Sequence, residues 1–347
     1  MRFTNMRVCG RFIKQSERLI NADMKILHVL LSRRPIPPPG YGGTERIVWW
    51  LLRQQVAHGH DVRVLTRGPS RSSTPPVMYS YDSSKPISDQ VSDWPDVVHF
   101  HHPGIFDIGK PYLCTEHGLS DEPVTHSTNT VYLSQSHASN HGASFFIHNG
   151  LDWADYGEVN LSLKREHYHF LGKAKLQKKN LTDAIELAKA AGLPIQVMGN
   201  KWYQSRLARN IKYHGEVDDA KKGAIIERSL GMLAPVRWHE PFGLALVESL
   251  YFGAPIFGTP YGSLPELVNQ KGLGYLSTSK RELIAAMCER DYRDSSLCHE
   301  VAVTTFNAGI MAARYLDAYQ KVIDGEQLQP RPPCTAGTAG TLLQLAP

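Results

Sequence analysis

The amino-acid sequence predicts an α/β protein with two doubly wound, Rossmann-like parallel-sheet domains in tandem. Three observations lead to this prediction. The chain has 347 residues, which is about twice the common size of a single domain. Short apolar runs alternate with stretches of helical periodicity, as in βα units. This alternation stops at the turn-rich segment Asn149–Asp152 and then begins again.

The first half of the chain begins with a strand pattern at Ile26–Leu31 and a helix pattern at Thr44–His58, which Gly59 ends. Further strands are predicted at Asp61–Thr66, Val97–Phe100, Tyr112–Thr115 and Val131–Ser134. The second half repeats the alternation. Its predicted strands are Tyr168–Leu171, Ile195–Met198, Met232–Ala234 and Pro255–Gly258, and its predicted helices are Leu181–Ala191, Phe242–Phe252 and Met311–Ile323.

These patterns define the expected domains, residues 24–148 and 149–310, followed by a helix at 311–324. Residues 1–23 are expected to be a leader or extension, because the first strand pattern begins directly after Met24. They are basic, as transit peptides are, but lack the apolar centre of a secretory signal. Residues 325–347 contain several prolines and Ala-Gly pairs, which predict a flexible tail.

Composition narrows the class of protein. The hydrophobic fraction of 42% and the charged fraction of 20% exclude a largely disordered or fibrous chain. The formal net charge is +5, but residues 1–23 hold five basic residues against two acidic ones. More than half of the positive excess therefore lies in the expected leader, and we expect no nucleic-acid partner.

Cysteine usage indicates the compartment. The five cysteines are odd in number and show no CxxC spacing, which favours a reducing compartment over a disulfide framework. No apolar run approaches the roughly 20 residues that a transmembrane helix needs. We expect a cytoplasmic protein, and the sequence leaves peripheral contact with a membrane open.

The segment Trp238–Glu248 is the most informative for chemistry. Pro241 suits the first turn of a helix, where its missing N–H costs no hydrogen bond. The amides that come next would be free donors at the positive end of that helix, which is an anion site. They belong to Phe242, Gly243 and Leu244. An ordinary proline-started helix without a ligand is the alternative.

Two glutamates flank this helix start. Glu248 lies one turn beyond Leu244 on the same face and can accept hydrogen bonds from a ribose. Glu240 lies just before the helix, next to whatever is attached to a bound phosphate.

A second candidate segment, Gly172–Asn180, comes after the strand Tyr168–Leu171 and carries four lysines. Lysines at the carboxyl end of a strand suit a diphosphate, although a solvated basic loop also explains them.

A glycine-containing loop, Pro37–Arg46, separates the first strand from its helix. Gly42 and Gly43 allow backbone amides to approach a ligand, and Thr44 is a candidate N-cap. The loop is neither a GxGxxG fingerprint nor a Walker loop, which weakens nicotinamide and ATP sites. A tight turn before a helix is the structural alternative.

Eight of the 16 histidines lie between residues 99 and 148. His99 and His101 would share one face of a strand, with His102 at its end, as metal ligands can. No HExxH motif or cysteine partner accompanies them, so we expect no metal site. His117 comes after the strand Tyr112–Thr115, where catalytic groups collect, and can bind a sugar hydroxyl or the reacting centre. An ordinary loop histidine explains it equally.

Together these segments resemble the retaining glycosyltransferases of family 4, over residues 24–324. The run from Glu240 to Glu248 is similar to the family's E-x7-E motif, and Gly253–Pro255 and Gly262–Glu266 come after it in family order. Tyr41–Glu45 resembles the first glycine loop, and Asn149–Asp152 the interdomain signature. The resemblance implies the GT-B fold, with two Rossmann-like domains facing across a cleft that holds the site.

The resemblance also implies roles for individual residues. Glu248 would bind the donor ribose and Glu240 the hydroxyls of the donor sugar. The amides of Phe242, Gly243 and Leu244 would bind the diphosphate, capped by Gly42 and Gly43 from the first domain. His117 matches the family's histidine near the reacting sugar.

One motif departs from the family pattern. The usual Gly-Arg-x5-Lys-Gly is matched here by Gly172, Lys173, Lys179 and Asn180. Lysine in place of arginine keeps the charge but not the bidentate geometry, so weaker diphosphate binding is expected. The loop around His214, with Gly215 and Glu216, is expected to touch the nucleotide base.

The resemblance implies a retaining hexosyltransferase that moves a sugar from a nucleotide-diphosphate sugar to a hydroxyl acceptor, such as a glycan, a lipid-linked saccharide or a small metabolite. Residues 24–148 would face the acceptor and residues 149–310 would bind the donor. No DxD motif is present, so we expect no metal and no other cofactor. A nucleotide-sugar epimerase, a phosphorylase, an inactive nucleotide-sugar-binding protein and, more distantly, an NAD-linked oxidoreductase stay open as alternatives, as do the donor, the acceptor and the oligomeric state.

Overall fold

The structure is a computed structural model that describes residues 23–40, 42–69, 76–119, 123–199, 210–335 and 342–346. The expected leader therefore lies outside the described residues, apart from Asp23. The chain divides into two compact units. The first contains residues 1–116, 126–131 and 309–332, and the second contains residues 117–125, 132–308 and 333–347.

The first unit is built on a six-stranded parallel sheet with the strand order β3-β2-β1-β4-β5-β7. Its strands are β1 (Lys25–Leu30), β2 (Asp61–Thr66), β3 (Val77–Ser80), β4 (Val97–Phe100), β5 (Tyr112–Thr115) and β7 (Thr130–Val131), while β6 (Val124–Thr125) belongs to the second unit. Counted along the chain, this is the order 3-2-1-4-5-6 of dinucleotide-binding folds. The central strand β4 is buried along its whole length, as expected for a parallel sheet that is covered on both faces.

Helix α1 (Gly43–Ala57) connects β1 to β2 and packs on one face of this sheet. Its residues Val48 and Leu52 join a buried cluster with Leu30 and Val64. Gly59 ends the turn after the helix with a φ of 91°, a backbone conformation that glycine adopts at little cost. The helix therefore starts one residue earlier and ends one residue earlier than the sequence predicts.

The second unit repeats the same design. Its sheet has the order β10-β9-β8-β11-β12-β13, again 3-2-1-4-5-6 when counted along the chain. The strands are β8 (His167–Leu171), β9 (Ile195–Met198), β10 (Ile211–Gly215), β11 (Ser229–Ala234), β12 (Ile256–Gly258) and β13 (Gly274–Leu276). The pair β6 and β14 (Cys334–Thr335) forms a small antiparallel sheet.

Seven helices are described in the second unit: α2 (Gln135–Ser139), α3 (Leu181–Ala190), α4 (Asp219–Ile226), α5 (Leu244–Tyr251), α6 (Leu264–Leu267), α7 (Lys280–Cys288) and α8 (Ser295–Thr305). Side-chain caps explain where several of them begin. Asn180, Asp218, Ser279 and Asp294 each accept a hydrogen bond from a backbone N–H in the first turn of the adjoining helix.

The last helix, α9 (Ala308–Ile323), begins three residues before its predicted start. From Gly309 onward it belongs to the first unit. There the Tyr319 hydroxyl accepts a hydrogen bond from Gln55 Nε2 at 3.0 Å. The described part of the chain contains no helix with the length and hydropathy needed to cross a bilayer.

The predicted fold class is confirmed, because both six-stranded parallel sheets are present. Four predicted strands, Asp61–Thr66, Val97–Phe100, Tyr112–Thr115 and Ile195–Met198, match the observed bounds. The sequence patterns do not predict the strands β3, β6, β10, β13 and β14 or the helices α2, α4, α6, α7 and α8. Strand β3 lies at a sheet edge and is largely exposed, so it lacks the buried apolar run by which the other strands were recognised.

The chain leaves the first unit earlier than the expected boundary between residues 148 and 149, since residues 132–148 belong to the second unit. Ser134 Oγ donates to the Pro241 carbonyl at 2.7 Å. The Glu266 carboxylate accepts hydrogen bonds from the N–H groups of Gln135 and Ser136 at 2.9 and 2.8 Å. The turn residues Asn149–Asp152 therefore mark a loop within the second unit.

The predicted flexible tail is partly ordered. Gln329 is buried, and its Nε2 donates to the Thr130 carbonyl at 2.8 Å. Residues 342–346 lie on the second unit, where the Ala346 N–H donates to the Thr278 carbonyl at 2.7 Å and Leu345 packs against the buried core. Composition does not reveal this order, because both bonds end on backbone carbonyls, which any residue carries.

Candidate functional site

The carboxyl edge of the second sheet brings two of the predicted segments together. Strands β8 and β11 are neighbours, with His169 opposite Met232, although β9 and β10 lie between them in the chain. Ligands of doubly wound sheets bind outside the carboxyl ends of the strands at such a reversal of order. The loop after β8 carries Lys179 and the loop after β11 carries Glu240, so the topology places these two side chains next to each other.

Glu240 takes part in an ion pair at this edge. Its Oε2 accepts hydrogen bonds from Lys179 Nζ and, at 3.1 Å, from Trp238 Nε1. The Lys179 ammonium also lies 5.2 Å from the centre of the Trp238 ring. The sequence predicts a diphosphate as the partner of Lys179 and does not indicate its contact with Glu240.

Helix α5 starts later than predicted. Its first residue is Leu244, and Gly243 is the N-cap with a φ of 84°. The prediction of a helix from Phe242 onward is wrong here, because this left-handed conformation interrupts the helical backbone. A Cβ at position 243 would lie 2.6 Å from Leu246 Cδ1. The Leu246 N–H donates to the Gly243 carbonyl at 2.9 Å, whereas the N–H of Leu244, the first helical residue, has no intrahelical acceptor.

Glu248 lies on the second turn of α5 and is held in a similar way to Glu240. Its Oε1 accepts a hydrogen bond from Lys222 Nζ at 2.5 Å and another from the Tyr156 hydroxyl at 2.6 Å. Lys222 Nζ also donates to Asp219 Oδ1 at 2.7 Å. Both glutamates of the predicted motif are thus buried and paired with lysine.

The other predicted residues of this unit lie along the same carboxyl edge. Gly172 and Gly215 stand at the ends of β8 and β10, on either side of Gly199. A Cβ on Gly199 would come within 1.8 Å of the Gly172 carbonyl oxygen, so the three strand ends pack backbone against backbone. Lys173 and Glu216, the residues next after Gly172 and Gly215, are exposed.

The glycine loop of the first unit lies at the carboxyl end of β1. Gly42 is the N-cap of α1 and has an extended backbone, while Thr44 lies inside the helix, so the prediction of Thr44 as N-cap is wrong. A Cβ on Gly42 would lie 2.9 Å from Glu45 Oε2. Gly43 is the first helical residue. His117 is half-buried and lies two residues beyond the end of β5.

A cluster of three buried histidines lies in the first unit. His28 on β1, His99 on β4 and His101, just after β4, have ring nitrogens within 4.8 Å of one another. The sequence places His99 and His101 on one face of a strand, but nothing in the local pattern singles out His28. His28 could have been found from the parallel pairing of β1 with β4, which places it beside His99.

Hydrogen bonds engage the ring nitrogens of this histidine cluster. His28 Nδ1 lies 2.9 Å from His101 Nε2, and His28 Nε2 lies 2.8 Å from Gln55 Oε1. Both nitrogens of His99 are also engaged, with the Tyr319 hydroxyl at 2.8 Å and with Thr115 Oγ1 at 2.7 Å. Burial lowers the pKa of His28 to about 4, against the opposing effect of its hydrogen bond to Gln55 Oε1, so this ring is neutral at pH 7. The cluster ties β1 and β4 to α1 and α9.

Sequence reasoning missed Glu266 as a member of the site region. Burial would raise the pKa of its carboxyl, but hydrogen bonds from His148 and from the N–H groups of Ser136 and Gln135 lower it below the ordinary value. His148 Nε2 lies 3.0 Å from the carboxylate. The signal for Glu266 in the sequence is the short Gly262–Glu266 segment, which belongs to the family pattern.

Comparisons with known proteins agree with this geometry. The family model of glycosyl transferases group 1 matches residues 176–301. A phosphatidyl-myo-inositol mannosyltransferase from Propionibacterium freudenreichii subsp. shermanii is 28% identical over 164 residues, which are 42% of this chain and 43% of that protein. The aligned part therefore spans less than half of that relative.

Solved structures extend the likeness to both units. AviGT4, a glycosyltransferase involved in avilamycin A biosynthesis, superposes with a TM-score of 0.71 and 22% identity, over 87% of this chain and 98% of AviGT4. Anabaena Alr3699/HepE in complex with UDP and glucose gives a TM-score of 0.63 and 14% identity, over 86% and 100% of the two chains. These likenesses show that the fold is GT-B, and the match to the glycosyl transferases group 1 model lies within the second unit.

Proposed function

We propose that this protein is a retaining glycosyltransferase of family 4, which transfers a sugar from a nucleotide-diphosphate sugar to a hydroxyl acceptor. The observation that carries the proposal is the placement of Glu240, Glu248 and Lys179 around the start of α5, at the strand-order reversal of the second sheet. The residues 149–310 would bind the donor, and residues 24–148 the acceptor.

The proposed chemistry depends on where charge develops. Cleavage of the bond between sugar and diphosphate leaves an oxocarbenium-like sugar and an anionic leaving group. Cations and amide dipoles fixed around the diphosphate lower that barrier. Lys173, Lys179 and the amides of Phe242, Gly243 and Leu244 are suited to this task. Glu240 would hold the donor sugar, and His117 would lie near the reacting carbon.

Retention of configuration, in this proposal, comes from attack on the same face that the diphosphate leaves, with the leaving phosphate taking the proton of the acceptor hydroxyl. The lysines supply the charge that a divalent ion would otherwise provide. Turnover would then survive EDTA, and loss of activity that magnesium restores would overturn this part of the proposal.

The proposal is tested in two steps. A thermal-shift panel of UDP-glucose, GDP-mannose and ADP- and TDP-sugars identifies the donor, since a ligand at 100 times its dissociation constant adds about 2.7 kcal/mol of stability. Acceptors are then screened by release of nucleoside diphosphate, and NMR of the product reports its anomeric configuration. UDP-glucose and GDP-mannose are included because HepE is complexed with UDP and glucose and the curated relative is a mannosyltransferase.

Glu240→Gln serves as the matched variant, because it keeps the shape of the side chain and removes its charge. We expect it to lower kcat by about 100-fold, as loss of one aligned polar group in an active site commonly does. Release of nucleoside diphosphate that needs no acceptor and is unchanged in Glu240→Gln would contradict the proposal. Formation of an epimerised nucleotide sugar would favour the alternative of an epimerase.

A further inference from the structure

The two glutamates of the candidate site are held by the same kind of arrangement. In each, a lysine ammonium and the polar hydrogen of an aromatic side chain meet one carboxylate oxygen. Lys179 and Trp238 meet Glu240 Oε2, whereas Lys222 and Tyr156 meet Glu248 Oε1. Lys179 Nζ lies 5.2 Å from the centre of the Trp238 ring, and Lys222 Nζ lies 5.1 Å from the centre of the Tyr156 ring.

The second arrangement is the more deeply buried one. The side chains of Lys222 and Glu248 are 7% and 10% exposed. A buried charge is tolerated only when it is paired and hydrogen-bonded. Lys222 has three N–H donors and no acceptor, and two of these donors reach Asp219 and Glu248 at 2.7 and 2.5 Å. Its position is therefore fixed from two sides.

This arrangement leaves one half of the Glu248 carboxylate unused. Both of its contacts use Oε1, and Oε2 has no hydrogen-bond partner among the described residues. Oε2 is not fully enclosed by the described residues, and the Glu248 side chain as a whole is 10% exposed. A carboxylate fixed through one oxygen presents the other in a defined direction, which is how supporting contacts orient a binding group.

We infer that Lys222 and Tyr156 are positioning residues that orient Glu248 toward the ribose hydroxyls of the nucleotide. The inference rests on the proposed function, and it takes the ribose of the donor as the ligand of Glu248, as the resemblance to family 4 implies. Lys222 does not touch the nucleotide in this arrangement. It holds the Glu248 carboxylate in one orientation, so that Oε2 accepts a hydrogen bond from a sugar hydroxyl.

Binding measurements with matched nucleotides test the inference. The probes are UDP, GDP and ADP, each compared with its 2′,3′-dideoxy form, which lacks the hydroxyls that Glu248 would bind. Lys222→Met removes the ammonium and keeps most of the side-chain volume. We expect it to raise the Kd of the best-bound ribonucleotide about tenfold or more, the loss typical of a charge-assisted hydrogen bond, and to leave the Kd of the dideoxy form within about twofold.

Lys221→Met is the control, since Lys221 is the neighbouring residue on α4 and is exposed. It should bind both nucleotides like the unaltered protein. If Lys222→Met does not fold, judged by circular dichroism, Tyr156→Phe decides, because it removes a single neutral hydroxyl. We expect a Kd about threefold or more higher for the ribonucleotide alone.

The possible results separate the two claims. If the unaltered protein binds none of the nucleotides, the proposed function falls, and the inference falls with it. If it binds the ribonucleotide better than the dideoxy form but the variants at Lys222 and Tyr156 match it, the inference alone is overturned. Equal weakening of the ribo and dideoxy forms shows a merely structural role and also overturns the inference.

Discussion

At the scale of single residues, Gly243 shows how one backbone conformation shapes the candidate site. Its φ is 84°, and Leu246 Cδ1 lies 2.6 Å from the point that a Cβ would occupy, so the buried Leu246 side chain must move to admit one. We predict that Gly243→Ala lowers the free energy of unfolding by about 1–3 kcal/mol, because backbone strain and a steric clash add. Urea denaturation followed by circular dichroism measures this loss.

Gly192→Ala is the control for backbone strain alone. Gly192 has a comparable φ of 70°, but nothing lies within 4 Å of its Cβ position. The left-handed conformation by itself costs about 1 kcal/mol for alanine, so this variant should lose less stability than Gly243→Ala. Equal losses in the two variants would contradict a role for the close contact with Leu246.

His28 predicts a specific dependence of stability on pH. Burial lowers its pKa from 6.5 in the unfolded chain to about 4 in the folded protein, although the hydrogen bond with Gln55 opposes the shift. The unfolded chain therefore binds this proton more readily. The contribution of His28 to stability is complete above pH 6.5 and is lost as the pH falls toward 4.

The comparison with His28→Asn isolates this contribution. We expect the unaltered protein to be more stable than the variant at pH 7.5, since the variant loses buried hydrogen bonds. At pH 5 this difference should shrink by about 2 kcal/mol, because only the unaltered protein must keep a neutral imidazole there. Urea unfolding curves at both pH values give the two differences, and a pH-independent difference would refute the argument.

At the scale of secondary-structure elements, local patterns in the sequence predicted the buried strands. Strands β2, β4, β5 and β9 were found to the residue, because a run of apolar side chains marks a strand in the middle of a parallel sheet. The order of both sheets is then the one expected of a Rossmann-like domain. The E-x7-E segment identified the edge at which Glu240 and Glu248 lie.

The features that the sequence did not predict depend on contacts between distant residues. Nothing near Lys222 indicates that its ammonium will meet Glu248, 26 positions later in the chain. Tyr156 pairs with the same carboxylate from 92 positions away. The left-handed Gly243 was missed because Pro241 alone suggested an earlier start of the helix.

Helix α9 depends on buried hydroxyl groups for its attachment to the first sheet. The Tyr319 hydroxyl contacts both Gln55 Nε2 and His99 Nδ1. Tyr319→Phe removes both of these buried contacts, and we predict a loss of about 1–3 kcal/mol in the free energy of unfolding. Chemical denaturation measures it.

The second tyrosine of α9 provides the control. Among the described residues, the Tyr315 hydroxyl contacts only Thr115 Oγ1. The Thr115 hydroxyl also contacts His99 Nε2 and keeps that contact when Tyr315 is replaced. Tyr315→Phe should therefore cost less than Tyr319→Phe. The opposite ranking would show that α9 is held by its apolar packing and not by the hydroxyl network.

At the scale of the whole molecule, the chain builds the first sheet, then the second unit, and returns to the first unit with α9. The first unit is therefore completed only by residues 309–332. Residues 342–346 then return to the second unit, where the backbone of Leu343 exchanges hydrogen bonds with Arg237. Each unit consequently depends on a different part of the C-terminal segment that begins at Gly309.

Two truncated chains should separate these dependences. A chain that ends at Ala308 lacks α9, and we predict that hydrogen exchange in β1 and β4 becomes much faster, because Gln55 and His99 both lose their contact with the Tyr319 hydroxyl. A chain that ends at Thr335 keeps α9 and loses only the segment on the second unit. Its β1 and β4 should exchange as in the full chain, while exchange at Lys280, whose N–H donates to the Ala346 carbonyl, becomes faster. Hydrogen exchange followed by mass spectrometry resolves both regions, and fast exchange of β1 in the chain ending at Thr335 would show that residues 309–332 alone do not complete the first unit.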